Sequence, residues 1–179
     1  MCFQINPPSK MVGDYILCLE VNDVNLSNSL NDALCQEVVK EFSNQLAYSQ
    51  IESYFEDLQL KKLSAYFRKQ SEEEKVHANR FIQYINDRTG GSVSIGDVPA
   101  PEIKTGNFEI ADLYIQIEES TTESIESLYE LAQELKSYVD LPFILEMLSE
   151  QVKEEDEAQE FALKIRNVKD LVLFDASFS

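Results

Sequence analysis

The sequence is short of the residues that break regular structure. It has only 5 Gly and 5 Pro among 179 residues, so few positions can interrupt a helix or strand. With 44% hydrophobic and 10% aromatic residues, the composition is typical of a globular protein. The length fits one domain with a substantial core. We therefore expect a single domain built from long helices.

Basic residues are also scarce. The chain has 15 Lys plus Arg against 33 Asp plus Glu, which gives a formal net charge of -18. This charge disfavours binding to nucleic acid or to an anionic membrane, and it raises the local concentration of cations. An acidic surface that only keeps the protein in solution remains the alternative explanation.

Cysteine is limited to three positions, Cys2, Cys18 and Cys35, whose spacing matches no metal-binding motif. An odd number of cysteines favours reduced thiols in a reducing compartment. No stretch is long and apolar enough to span a bilayer. The first 25 residues carry one Lys and no Arg, unlike a signal or transit peptide. The expected location is the cytoplasm.

Helical periodicity predicts four long helices, over residues 27–56, 60–88, 108–138 and 141–168. Gly90 and Gly91 stop the second helix, and Pro142 suits the first turn of the fourth. We divide the chain into an N-terminal arm of unassigned role (1–27), a four-helix domain (28–168) and a short tail (169–179).

The connection between the second and third helices is unusually long. The stretch "GGSVSIGDVPAPEIKTGN" has no helical period and gives a loop of roughly 15 residues. Such a loop can travel the length of a bundle, whereas the short turns on either side force antiparallel neighbours. The predicted fold is all-α: an antiparallel four-helix bundle with one long crossover.

Each predicted inward face carries one glutamate among apolar residues. These are Glu41, Glu74, Glu118 and Glu154, one from each helix. His77, the only histidine, lies three residues after Glu74 and therefore on the same face. The sequence thus places four carboxylates and one imidazole at one level of the core.

Buried carboxylates need a compensating charge. An unpaired one costs several kcal/mol, and the whole fold is stable by only about 5 to 15 kcal/mol. No Lys or Arg lies on these faces, and protonation of several carboxyls near pH 7 is a weaker explanation. Metal ions remain. Oxygen ligands with one nitrogen suit a pair of iron ions better than structural zinc or calcium.

The spacing of these residues resembles that of the non-haem ferritins, bacterial more than animal, over residues 30–168. The motifs are "KEFSNQLAYSQ" with Glu41, "FRKQSEEEKVH" with Glu74 and His77, "YIQIEESTTESI" with Glu118, and "LSEQVKEE" with Glu154. The resemblance implies that Glu41 and His77 hold one iron. Glu118 and Glu154 would hold the other, and Glu74 would bridge the two.

The resemblance also implies roles for Tyr48 and Gln151. Gln151 would orient oxygen or a bound water, and Tyr48 would hydrogen-bond near the site and supply an electron. Such a centre is expected to oxidise Fe(II) with O2 or peroxide. Fe(III) would then pass to a mineral inside a homo-oligomeric cage of twenty-four subunits.

The single histidine separates this chain from other di-iron proteins. Bacterioferritins carry a second E-x-x-H on the fourth helix, where this chain reads Gln151, Val152, Lys153, Glu154. Weaker nitrogen ligation on that side suggests that iron passes through as substrate rather than staying as a cofactor. No haem is implied.

A third iron site, found beside the main centre in several bacterial ferritins, is a further expectation. Glu73 and Glu150 are the candidate ligands, although Lys153 occupies one of the places that would otherwise hold a carboxylate.

The threefold entry channel of animal ferritins lacks its acids here. The corresponding positions are Leu141 and Ile144, with Asp140 as a weak substitute. The iron entry route is therefore left open.

Three other interpretations compete. A rubrerythrin-like or other di-iron oxidase or peroxidase, with retained iron as cofactor, would need a reductase partner, and rubredoxin-type Cys pairs are absent. A Dps-like DNA-protecting protein would use histidines at a subunit interface. A metal-free helical scaffold would leave the inward glutamates unexplained.

Overall fold

The structure, a computed structural model, describes residues 27–89 and 93–178. This part of the chain forms five α-helices and no strands: α1 (Asn28–Asp57), α2 (Lys61–Thr89), α3 (Asn107–Glu134), α4 (Leu141–Asn167) and α5 (Leu171–Ser177). The predicted all-α fold with four long helices is confirmed. The predicted N-terminal arm, apart from Ser27, lies outside the described residues, and so do Cys2 and Cys18. None of the described helices is long and apolar enough to cross a membrane.

The four long helices pack antiparallel in pairs. Three-residue and six-residue turns, 58–60 and 135–140, connect α1 to α2 and α3 to α4. Side-chain contacts across the bundle show that α1 and α3 also run in opposite directions, and so do α2 and α4. Four pairs fix these directions: Glu37–Ser124 and Tyr48–Glu118 between α1 and α3, and Arg80–Glu150 and Tyr66–Phe161 between α2 and α4.

The long crossover predicted from the sequence connects α2 to α3, and it runs along α1. Ser43 donates a hydrogen bond to the Pro99 carbonyl at 2.7 Å, and Gln50 donates one to the Pro101 carbonyl at 3.2 Å. From Pro99 to Pro101 the loop therefore advances along α1 from Ser43 to Gln50, in the chain direction of α1. The loop returns the chain to the end of the bundle where α3 begins.

The predicted end of the third helix is wrong by four residues, because α3 stops at Glu134. Lys136 adopts a left-handed conformation with φ 56°. Its N–H and that of Ser137 bond back to the carbonyls of Gln133 and Ala132, which closes the helix as a Schellman motif. Glycine normally marks such an end, and no glycine lies here to predict it. Leu135, which follows the last helical residue, is 41% exposed.

The C-terminal tail forms a helix that the sequence analysis did not predict. The Asp175 carboxylate accepts hydrogen bonds from the backbone N–H groups of Lys62 and Leu63, at 2.9 and 2.8 Å. Free N–H groups at a helix start need such partners. Phe174 is 8% exposed and packs on the end of the bundle. The short α5 thus caps the first turn of α2.

Two apolar clusters fill the bundle and leave a polar level between them. The first core cluster is centred on Phe55, Phe67 and Phe161, and the second on Phe81 and Ile125. On every long helix, the residues between the two clusters include the inward glutamate predicted from the sequence. Packing on both sides therefore fixes the height of the four glutamates.

Asp140, the weak substitute considered for a channel acid, is only 1% exposed within its own chain. It accepts hydrogen bonds from Arg88, Tyr84 and Ser137, so its carboxylate holds the α3–α4 turn against α2. Ile144 is fully buried. Neither residue is available to line a channel.

Replacing Lys136 by glycine should stabilise the protein, because a left-handed residue with a Cβ is strained where glycine is not. We expect Lys136→Gly to raise the free energy of unfolding by about 1 kcal/mol in urea titrations. Lys136→Ala keeps the Cβ and should give no gain. Equal stabilisation by both variants would show that the lost charge, rather than the backbone, is responsible.

Candidate metal centre

Glu41, Glu74 and His77 converge in the core. One ligand atom of each lies within 4.8 Å of the other two. Their exposed fractions are 1%, 4% and 8%, so all three are nearly removed from solvent. Glu74 and His77 are one turn apart on α2, and α1 supplies Glu41 at the same height. These are three of the five ligands predicted from the sequence, and they supply two carboxylates and an imidazole.

The carboxylates of this triad are incompletely satisfied. Glu41 and Glu74 lie close enough for each to change the pKa of the other. However, neither Glu41 Oε2 nor Glu74 Oε2 has a hydrogen-bond partner among the described residues. Native proteins rarely leave such atoms unpaired, because each costs about 1–3 kcal/mol or more. The unpaired oxygens fit a bound cation.

Glu118 is 1% exposed and held by two donors. The Tyr48 hydroxyl donates to its Oε1, and Gln151 Nε2 donates to its Oε2 at 2.7 Å. Burial raises the pKa of Tyr48 well above its usual value, so the hydroxyl stays protonated. The structure therefore places Tyr48 and Gln151 as supports of Glu118, beside the triad rather than in it.

Glu154 approaches the triad from α4. Its Oε1 lies 3.4 Å from His77 Nε2. Its side chain is 20% exposed, so it is the most solvent-exposed of the four predicted glutamates. His77 Nδ1 lies 3.9 Å from Glu74 Oε2 on the other side of the ring. The imidazole thus lies between the α2 and α4 carboxylates.

Glu73 and Glu150, the candidates for a third iron site, each contact a cationic side chain. Glu73 pairs with Lys69 at 2.9 Å and accepts a hydrogen bond from Gln70. Glu150 pairs with Arg80, and its Oε2 is also 3.7 Å from His77 Nε2. At 3.7 Å Glu150 lies near the imidazole without a hydrogen bond to it, and its charge is paired with Arg80.

One buried glutamate was missed. Glu37 is 4% exposed and lies one turn before Glu41 on α1. The spacing of four residues was the available signal, but the predicted inward face included only one glutamate per helix.

Burial changes the protonation of the site. It raises the pKa of Glu41 to about 7 and that of Glu154 to about 8, with neighbouring carboxylates adding to the effect. The pKa values of Glu74 and Glu118 are raised by the same cause. Burial lowers the pKa of His77, which keeps the imidazole neutral. Protonation near pH 7, the weaker explanation on sequence grounds, therefore compensates part of the charge in the metal-free protein.

The metal-free protein should lose stability as the pH rises. Its carboxyls keep protons that the unfolded chain has released, so the folded state binds more protons. The free energy of unfolding should therefore fall between pH 4.5 and about 8, the interval between the ordinary and the raised pKa of Glu154. Urea titrations of chelator-treated protein would measure this fall.

Glu154→Gln should flatten that pH dependence, and the exposed Glu130→Gln should not. A wild-type curve that does not fall faster than that of Glu154→Gln would contradict the raised pKa.

Comparisons with known proteins identify the family of the chain. The sequence matches the family described as Ferritin-like domain over residues 29–168. The bacterial non-heme ferritin of Staphylococcus haemolyticus is 31% identical over 133 residues, which is 73% of this chain and 78% of that protein. That of Staphylococcus aureus is 30% identical over 131 residues, with the same coverage.

Solved structures give the same result. An open pore ferritin from the hyperthermophilic archaeon Archaeoglobus fulgidus superposes with a TM-score of 0.80 at 26% identity, covering 86% of this chain and 98% of that one. The resemblance to the non-haem ferritins and the four-helix bundle are confirmed. This chain belongs to the ferritin family.

Proposed function

We propose that the protein is an iron-storage ferritin whose buried centre oxidises Fe(II) to Fe(III). The observation that carries the proposal is the convergence of two unpaired carboxylate oxygens, on Glu41 and Glu74, beside the neutral imidazole of His77. Two such oxygens and a neutral nitrogen are ligands for which Fe(II) has good affinity. The match to the ferritin family and the bacterial non-heme ferritin relatives support the same assignment.

Fe(II) would enter this site by displacing protons. In the assignment taken from the resemblance, Glu41 and His77 hold one iron, Glu118 and Glu154 hold the second, and Glu74 bridges them. The raised pKa values of Glu41 and Glu154 mean that binding near neutral pH releases protons into the site. Those protons lie next to the place where the oxidant would be reduced.

The redox balance is simple. Each Fe(II) of a pair gives up one electron, and the two electrons reduce O2 to hydrogen peroxide with uptake of two protons. When peroxide is the oxidant, the same two electrons reduce it to water. Tyr48 and Gln151 keep the Glu118 carboxylate in place. Catalysis then consists of binding, orientation and exclusion of bulk water.

The iron is proposed to be substrate rather than a retained cofactor. Only one imidazole faces the site in the described part of the chain, and the carboxylate on the α4 side, Glu154, is partly exposed. A ligand that is partly exposed to solvent favours exchange of the bound iron. Fe(III) would leave on this side to a mineral, and no haem takes part.

A homo-oligomeric cage of twenty-four subunits is part of the proposal. Large apolar side chains remain exposed on the single chain at several places that subunit contacts could cover. They include Phe108, Tyr138, Val139, Leu145 and Leu163, with exposed fractions between 47% and 65%. Such a cage in the cytoplasm would have Fe(II) and O2 or peroxide as its partners, and neither nucleic acid nor membrane.

The alternative of a rubrerythrin-like oxidase or peroxidase is not favoured. The family match and the relatives reported above are ferritins, and the ligand set has a single histidine.

The oxidation reaction can be tested directly. Fe(II) mixed with the protein in air should give the absorbance of Fe(III) at a rate that falls at least about a hundredfold in Glu74→Gln and His77→Ala, since even indirect partners of metal ligands contribute about 10–100-fold. Glu72→Gln changes an exposed neighbour on the same helix and should react like wild type. Equal rates in all four proteins would rule out the proposed centre.

Assembly is tested separately. Light scattering of the purified protein should give the mass of a twenty-four-subunit shell, and electron microscopy should show hollow particles. A monomer or dimer that still oxidises Fe(II) would contradict storage in a cage while keeping the oxidation.

A further inference from the structure

Glu37 is a buried carboxylate that the proposed centre does not use. It is 4% exposed on α1, and the Ser124 hydroxyl of α3 donates a hydrogen bond to its Oε1. Its other oxygen, Oε2, has no hydrogen-bond partner among the described residues. A buried carboxylate oxygen without a partner is destabilising unless something else occupies the position.

A cavity opens at this carboxylate. It has a volume of about 150 Å³, and Glu37, Gln36, Ser124 and Ser127 contribute its polar lining. Gln36 and Ser127 are exposed, so the cavity leads from the outside of the α1–α3 face to a carboxylate that is nearly dry. Its lining offers a carboxylate, an amide and hydroxyls, which are oxygen ligands suited to a divalent cation.

Glu37 also adjoins the centre. It lies four residues before Glu41, which puts their side chains about 5–6 Å apart at Cβ on one face of α1. The negative charge of Glu37 is one of the causes that raise the pKa of Glu41. The two carboxylates therefore form consecutive steps from the cavity to the triad.

Neither an ion pair with Lys40 nor a proton on Glu37 provides a partner for Glu37 Oε2 among the described residues. Lys40, the nearby cation, donates to the Ser120 carbonyl, and no described ion pair joins it to Glu37. A proton on Glu37 would remove the charge, but Oε2 would still have neither donor nor acceptor within the described residues. A transient cation satisfies both the charge and the unpaired oxygen.

We propose that Glu37 is a transit site for divalent cations, through which Fe(II) passes from the α1–α3 cavity to Glu41. This proposal rests on the proposed function, because it supplies the same centre. It assigns the route to the bundle of each subunit, so that filling the centre does not depend on channel acids between subunits. Lys40, at the side of the route, would weaken binding there and so favour onward transfer.

Cation binding can be followed without iron chemistry. Stopped-flow absorbance of Co(II) binding to the assembled wild-type protein would give the association rate, and equilibrium titration would give the number of ions bound at the centre. Glu37→Gln keeps the shape and removes the charge, and its association rate should fall about tenfold, the lower end of what a charged cleft contributes. The number of ions bound at the centre should not change.

Two further variants distinguish entry of cations through this cavity from general electrostatic attraction to an acidic surface. Glu126→Gln removes one exposed charge from α3 and should associate at the wild-type rate. Ser127→Phe covers the mouth of the cavity without altering Glu37 and should slow association as Glu37→Gln does. It also keeps the test informative if Glu37→Gln does not fold. Crystals soaked in Co(II) should show anomalous density at Glu37 Oε2, absent in Glu37→Gln.

The outcomes are separable. Wild-type association rates in Glu37→Gln and Ser127→Phe, or equal slowing in Glu37→Gln and Glu126→Gln, would overturn the transit site and leave the proposed function standing. A wild-type centre that never binds Co(II) would overturn the proposed function, and the transit site with it.

Discussion

The structure depends on one electrostatic constraint: several carboxylates meet in a nearly dry interior, and their charge must be compensated. Among the described residues, no Lys or Arg forms an ion pair with Glu41, Glu74 or Glu118, and the charge of Lys40 is the smallest of the influences on the pKa of Glu41. The metal-free protein reduces the repulsion by keeping protons, as the raised pKa values of these groups indicate. Protons lower the charge but leave oxygen atoms unpaired, whereas a cation removes both problems.

The α3–α4 side and the α1–α2 side of the centre differ in how their carboxylate oxygens are paired. On the α3–α4 side, Glu118 already accepts hydrogen bonds from Tyr48 and Gln151, so its position is fixed before any ion binds. On the α1–α2 side, Glu41 and Glu74 each keep an unpaired oxygen. We therefore expect the α1–α2 side to gain more from the first ion. The two apolar clusters above and below keep both sides of the centre at one height. Their packing therefore offsets the cost of the unpaired carboxylate oxygens in the folded protein.

Much of this arrangement could be predicted because long helices have a regular period. Spacing alone placed Glu74 and His77 on one face, and the contrast between short turns and one long loop gave the topology. The end of α3 could not be predicted, since Lys136 takes a left-handed conformation usually reserved for glycine. The docking of α5 was also missed, because it depends on Asp175 reaching the start of α2 from a distant part of the chain.

The burial of Glu37 could not be predicted from the sequence. Helical spacing allows Glu37 to be inward or at the edge, and only the packing of α3 against α1 decides that it is buried with one oxygen unpaired. A glutamine there would pack as well and carry no charge. A charged residue raises the pKa of Glu41 and so makes the proton-free centre harder to form. The carboxylate is therefore unfavourable for the metal-free fold, and it becomes favourable only when a cation occupies the line from Glu37 to Glu41.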